Sequence, residues 1–188
     1  MTRTLALLAG LAVMAPAMAS AADSDQHPVA VNGNVANLCV LGAPNPAAID
    51  LGQLSATSGA RAGKITTISD QTIALPDSFC NFAGTQLTVQ ASALLAADAS
   101  PVQPGFSRAV NFTSTVNNWA TAPATVTTAA TASGGSPGTS AKGGTQPAPK
   151  IANLALVLSS FTVPSDNLMV AGGYTGSVTI TLGPSASE

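Results

Sequence analysis

Charged side chains are scarce in this sequence. Only 7% of its 188 residues are Asp, Glu, Lys or Arg, and the formal net charge is −2. A nucleic-acid interface needs basic residues clustered on one face, and the whole chain contains six Lys and Arg residues. We therefore expect that this protein has no nucleic-acid partner.

Side chains that carry out acid–base or metal chemistry are equally few. His27 is the single histidine, and it lies in the polar stretch "DSDQHP". A Ser-His-Asp triad needs a histidine that the fold holds in place, and no two carboxylates have a spacing that indicates a shared site. No glycine-rich loop follows a strand and opens a helix, as phosphate binding requires. We expect no catalytic, cofactor-binding or metal site, and therefore no enzyme and no cofactor.

Aromatic residues make up 4% of the chain, and Trp119 and Tyr174 are the only large amphipathic ones. A sugar-binding platform uses several such rings, because each presents a flat apolar face and a polar edge. The sequence therefore does not favour a lectin. Tyr174, next to Gly172 and Gly173, is predicted to fill the edge of a core.

Long apolar runs are missing beyond the N-terminus, so the mature chain is predicted to span no membrane. At the N-terminus, Arg3 precedes a short apolar run at 5–14, a proline and the small residues "APAMASAAD". This order is typical of a secretory signal peptide. A membrane anchor is the alternative, but the apolar run is shorter than the roughly 20 residues that it needs. We predict a signal peptide at 1–22 and an exported mature chain at 23–188, with cleavage after Ala19, Ala21 or Ala22.

The chain contains two cysteines, Cys39 and Cys80, forty-one positions apart. In an oxidising compartment two cysteines of an exported chain are expected to form a disulfide. A metal-binding pair and a reactive thiol are the alternatives, although two thiolates are too few ligands for a structural zinc ion. We predict a Cys39–Cys80 disulfide.

Most segments of the mature chain show the two-residue alternation of a β-strand. Examples are "GTQLTVQAS", "SRAVNFTSTV" and the C-terminal "GSVTITL", in which apolar residues alternate with threonines. The run "LALVLSSFTV" also fits a helical spacing, but its Thr, Val and Phe content favours a strand. Short strands separated by Gly, Pro, Asn and Asp predict an all-β fold, a β-sandwich formed by one domain at 23–188.

The segment 120–149 consists almost entirely of Ala, Thr, Ser, Gly and Pro. So little bulky apolar surface is expected to be insufficient to offset the entropy lost when a segment becomes ordered. We predict a flexible insertion between two strands. A glycosylated stalk is the alternative that its Thr, Ser and Pro content allows.

Four stretches follow one another in an informative order: "VAVNGNVANLCVLG", "PNPAAIDLGQL", "SFCNFAGTQLTVQAS" and "VAGGYTGSVTITL". In this order they resemble the opening strand, the following segment, the second cysteine with its strand, and the closing strand of chaperone–usher pilus subunits and their relatives in the spore-coat-U group. The resemblance covers roughly residues 29–92 and 150–183.

This resemblance implies an immunoglobulin-like sandwich that is incomplete, with an open groove beside its last strand. A periplasmic chaperone inserts a strand there, and at the usher a neighbouring subunit replaces it, which is a form of β-augmentation. The acceptor edge implied for this chain consists of Tyr174, Val178, Ile180 and Leu182. The implied first strand, or else the donor strand, contains Val29, Val31, Gly33 and Val35.

The function implied by the resemblance is that of a subunit of a surface fibre, a pilus or fimbria, assembled by strand exchange between like or unlike subunits. Such a fibre acts in adhesion or biofilm formation at the cell surface. The alternative is a self-complete secreted β-sandwich that acts alone as a surface-binding or coat protein.

Overall fold

The computed structural model describes residues 25–135 and 138–185, so the predicted signal peptide lies outside the described residues. The chain divides into two units, one ending at Val35 and the other beginning at Ala36. All the strands of the described residues lie in the second unit. Within the described residues, no helix is long and apolar enough to cross a membrane.

The described part of the first unit, 25–35, has no regular secondary structure. Val29, Val31 and Val35 are 85%, 91% and 83% exposed. These residues therefore form no first strand in the structure, and the alternative, a donor strand for another molecule, stays a prediction. The alternation is that of a strand, but a single extended segment has no ladder of its own to stabilise it.

The second unit is built from β-strands, and its only helical pieces in the described ranges are 3-10 turns at Gly59–Arg61 and Pro164–Asp166. The prediction of an all-β fold is confirmed. The strands in chain order are β1 (Cys39–Val40), β2 (Gln71–Cys80), β3 (Thr85–Ala96), β4 (Phe106–Ser107), β5 (Ala109–Asn117), β6 (Ala124–Thr127), β7 (Thr139–Gln146), β8 (Lys150–Thr162), β9 (Leu168–Met169) and β10 (Tyr174–Pro184).

Eight of these strands form two layers that meet at β5. One layer has the order β1-β2-β8-β5-β6, and the other places β3 between β10 and β7. The start of β5 pairs with the end of β3, where Leu94 lies opposite Val110. All these pairings are antiparallel, while the short strands β4 and β9 form a separate parallel pair. The result is a sandwich with its core between the two layers.

The alternating residues of the central strands form that core. Leu87 and Val89 of β3 and Val116 of β5 are at most 2% exposed. The segment that also fitted a helix is strand β8, with Leu154 and Leu156 buried, so the strand prediction is confirmed. Burying each such side chain stabilises the fold by about 1.5–3 kcal/mol.

The predicted disulfide is present and joins β1 to β2. Cys39 lies opposite Cys80 in the antiparallel register, and their sulfur atoms are 2.02 Å apart. Cys80 is 2% exposed. The bridge closes a loop of 41 positions that contains the whole irregular segment between β1 and β2.

The segment 120–149 is not the flexible insertion that its composition predicts. It contains β6 and β7, and Ala124 and Val126 are buried. Its small residues allow β7 to lie directly against the chain before β6. The Gly144 N–H donates to the Ala122 carbonyl oxygen at 2.8 Å, and a Cβ placed on Gly143 would lie 3.1 Å from that same oxygen. On this side of the sandwich the backbone of β7 therefore contacts the backbone of residues 122–124 directly, and bulky side chains would not fit between them.

Candidate functional site

The opposite side of the sandwich is bordered by β10, the last strand. β10 pairs with β3 along its whole length, from Tyr174 opposite Ala96 to Pro184 opposite Thr85. Within residues 25–135 and 138–185 it pairs with no other strand. In an antiparallel ladder every second residue directs its N–H and C=O away from the partner strand. One edge of β10 therefore presents a row of backbone donors and acceptors.

A groove of about 630 Å³ lies beside this edge, between residues 176–180 of β10 and the irregular segment 41–51. Its floor consists of apolar side chains from both layers of the sandwich. These floor residues are Ile73, Leu75, Leu94, Phe112, Leu156, Leu158 and Phe161. The groove thus reaches the hydrophobic core itself.

Of the four predicted acceptor residues, the structure places Val178 and Ile180 in this groove. Both are half-buried and pack against the core. Leu182 is also half-buried against the core but lies beyond the groove lining. Alternation along β10 explains this placement, since Thr179 and Thr181 between them are exposed.

Tyr174 lies at the other end of β10 and lines an adjoining cavity of about 550 Å³. Its hydroxyl donates to the Val170 carbonyl oxygen at 2.8 Å, and burial raises the pKa of the phenol above its ordinary value. The ring packs against a second apolar cluster that contains Val110 and Val163. Tyr174 therefore belongs to this second apolar cluster and does not line the groove.

The far wall of the groove was not predicted as part of a site. Its residues include Leu41, Pro44, Pro46, Ile49 and Leu51. Both prolines lack an N–H and interrupt any ladder on this side. A strand entering the groove would therefore take most of its backbone hydrogen bonds from β10. The irregular conformation of the wall has no periodic signal in the sequence, so pattern analysis could not find it.

The described residues that line the groove include no His, Cys, Asp, Glu, Lys or Arg side chain. His27 is exposed, and its Nε2 lies 3.0 Å from Asp25 Oδ2. Among the described residues, no group of three or more His, Cys, Asp or Glu side chains is positioned to bind a metal ion. The arrangement offers backbone hydrogen bonding and apolar burial.

Asp166 forms the main ion-pair cluster of the described residues, outside the groove lining. Its carboxylate accepts hydrogen bonds from Arg61 Nη2 and Lys64 Nζ, both at 2.8 Å, which lower its pKa from 3.8 to about 2. Because the folded-state pKa is below the unfolded one, the cluster stabilises the fold above about pH 4 and loses this effect as the pH falls towards 2.

We expect carbon-detected NMR to give an Asp166 titration midpoint near 2 in the native protein and a midpoint closer to 3.8 in Arg61→Ala. The Asp98 carboxyl is the internal control. Hydrogen bonds from Ser100 lower its pKa, so Arg61→Ala should leave its midpoint unchanged. A normal Asp166 midpoint in the native protein would show that the ion pairs do not persist in solution.

Comparisons with family models, with curated proteins and with solved structures found no match to this chain.

Proposed function

We propose that this chain is an exported structural subunit of a surface fibre in adhesion or biofilm formation, and that a β-strand from a second polypeptide completes its sandwich. The observation that carries the proposal is the unpaired edge of β10 beside a groove that reaches the core. A strand in this groove would pair with the outward N–H and C=O groups of β10. Its alternate side chains would be buried among the floor residues.

The donor in this proposal is the segment 29–35 of a second copy. Val29, Val31 and Val35 project from it at alternate positions and are exposed. Seven extended residues span about 23 Å, which is the length of β10 from Tyr174 to Ile180. Each valine transferred into the groove would contribute about 1.5–3 kcal/mol.

Export and chaperone assistance belong to the same proposal. An uncovered apolar groove with a free strand edge promotes non-specific aggregation. A periplasmic chaperone that covers the groove, and an usher at which the donor replaces it, would prevent this. The signal peptide predicted at 1–22 and the Cys39–Cys80 disulfide support export into an oxidising compartment.

The test is strand complementation of the exported full-length chain with a synthetic peptide of residues 23–37. Produced without a chaperone, the chain should form oligomers, and an excess of peptide should convert them to monomers, as measured by size-exclusion chromatography. Ile180→Ala should weaken peptide binding at least about tenfold, because it removes apolar surface from the groove.

Two matched controls accompany this test. Thr181→Ala changes the neighbouring side chain on the exposed face of β10, outside the groove lining, and should leave peptide binding unchanged. A peptide with Val31→Asp should not dissolve the oligomers, since a charge would enter an apolar site. A monomer that melts cooperatively and ignores the peptide would contradict the proposal and favour a self-complete secreted sandwich, which acts as a coat or surface-binding protein.

A further inference from the structure

Asn81 directly follows β2 and makes three hydrogen bonds to residues just before β1. Its backbone N–H donates to the Leu38 carbonyl oxygen at 3.0 Å. Its side-chain Oδ1 accepts from the Leu38 N–H, and its Nδ2 donates to the Ala36 carbonyl oxygen, both at 2.8 Å. We call this set of bonds the Asn81 clamp.

The clamp holds residues 36–38 in an extended conformation. The Ala36 carbonyl and the Leu38 N–H, two positions apart, both face the Asn81 side chain, as the corresponding groups do in the pairing of a parallel strand. None of residues 36–38 has a positive φ, whereas tight hairpin loops of two or three residues need at least one. The chain therefore makes no tight reversal at these residues.

That geometry bears on which groove the segment 29–35 enters. The groove wall, 41–51, begins immediately after β1. For the whole of segment 29–35 to lie beside the wall of its own molecule, the chain would have to reverse direction within residues 36–38, which the clamp holds. Insertion into another molecule needs no such reversal.

Segment 29–35 is tethered to its own molecule, so it would fill the groove of that molecule far more readily than the groove of a separate one. A short flexible linker gives a local concentration of about millimolar, well above the concentration at which separate exported chains meet. Without a barrier to reversal, each molecule would fill its own groove and no polymer would form.

We propose that Asn81 is a positioning residue that directs segment 29–35 into the groove of a second copy and away from the groove of its own molecule. This inference rests on the proposed function. It explains how a chain that has both a donor segment, 29–35, and an acceptor groove, beside β10, remains able to polymerise.

The test replaces Asn81 in the full-length exported chain and compares assembly at equal protein concentration. Asn81→Ala should lower the ratio of oligomer to monomer by about tenfold or more, the factor expected from the loss of two side-chain hydrogen bonds. It should also accumulate a monomer whose groove no longer binds a fluorescent peptide of residues 23–37. Asn37→Ala is the matched control, because Asn37 lies within the same segment and is exposed. It should assemble as the native chain does.

Asn81→Asp separates the two side-chain bonds. It keeps the acceptor for the Leu38 N–H and loses the donor to the Ala36 carbonyl, so its oligomeric fraction should lie between the other two. If Asn81→Ala fails to fold, the oligomeric fractions of Asn81→Asp and Asn37→Ala are compared instead, and equal fractions would overturn the role of Asn81.

The outcomes distinguish this inference from the proposed function. A native chain that binds peptide, together with Asn81 variants that assemble equally well and remain peptide-sensitive, would overturn the role of Asn81 alone. A native chain that neither assembles nor binds peptide would overturn the proposed function, and this inference with it.

Discussion

Replacing both Cys39 and Cys80 with alanine should lower the free energy of unfolding by about 3–4 kcal/mol, the loop-closure value for a bridge that spans 41 positions. The total free energy of unfolding of a small domain is about 5–15 kcal/mol. The loss should therefore sharply reduce the yield of exported protein. The effect also reaches the groove, because its wall 41–51 lies within the loop that the bridge closes.

Urea denaturation of the purified protein measures this change, and export yield provides a second readout. The native protein should show no thiol that reacts with a labelling reagent before denaturation. Two reactive cysteines in the exported native chain, or an unchanged urea midpoint in the double variant, would contradict the expectation and remove one support for export.

Gly42→Ala should destabilise the domain by about 3 kcal/mol, at the upper end of the range for overpacked sites. A Cβ at position 42 would lie 1.7 Å from the carbonyl oxygen of Pro76 and 2.9 Å from the carbonyl carbon of Leu75. These are backbone atoms, so no side-chain rotation can relieve the overlap. The Gly42 N–H also donates to the buried Ser78 Oγ at 2.9 Å, a bond that displacement of the segment would break.

Thermal and urea unfolding of Gly42→Ala measure the loss, with Gly183→Ala as the matched control. Apart from its two chain neighbours, none of the described residues has an atom within 4 Å of a Cβ at position 183, so the control should remain within about 0.5 kcal/mol of the native protein. Because Gly42 anchors one end of the groove wall to β2, Gly42→Ala should also weaken binding of the 23–37 peptide. Equal melting of both variants would show that the wall does not pack this closely on β2.

The strands that the sequence predicts well are those with one face in the core. Leu87 and Val89 in β3, Val116 in β5 and Val178 in β10 alternate with polar residues because one face of each strand packs inward. The same alternation identified two groove residues, Val178 and Ile180. Period-two patterning therefore carries information on both the fold and the residues of β10 that line the groove.

The errors have a different physical origin. The segment 120–149 has little bulky apolar area, but burial of such area is not the only way in which a segment becomes ordered. Gly143 and Gly144 allow two backbones to come into contact, and strand pairing then supplies the hydrogen bonds. The segment 29–35 shows the reverse case, in which a strand-like alternation carries no strand among the residues that the structure describes.

The groove wall and the Asn81 clamp could not be predicted from the sequence. Both depend on contacts between residues far apart in the chain, such as Gly42 with Pro76 and Ala36 with Asn81. An asparagine after a cysteine is an ordinary turn residue in sequence terms. The hydrogen bonds of its side-chain amide to Ala36 and Leu38 are evident only in the folded structure.

The close contact between β7 and residues 120–124 has a consequence for the architecture of any polymer. Because β7 lies against residues 120–124 on the opposite side, each molecule in the proposed function has one acceptor groove, beside β10, and one donor segment, 29–35. Head-to-tail joining of such units gives an unbranched filament, or a ring where the rotation between neighbours closes. In the proposed function an open filament grows only at its two ends, and a molecule that lacks 29–35 would cap one of them.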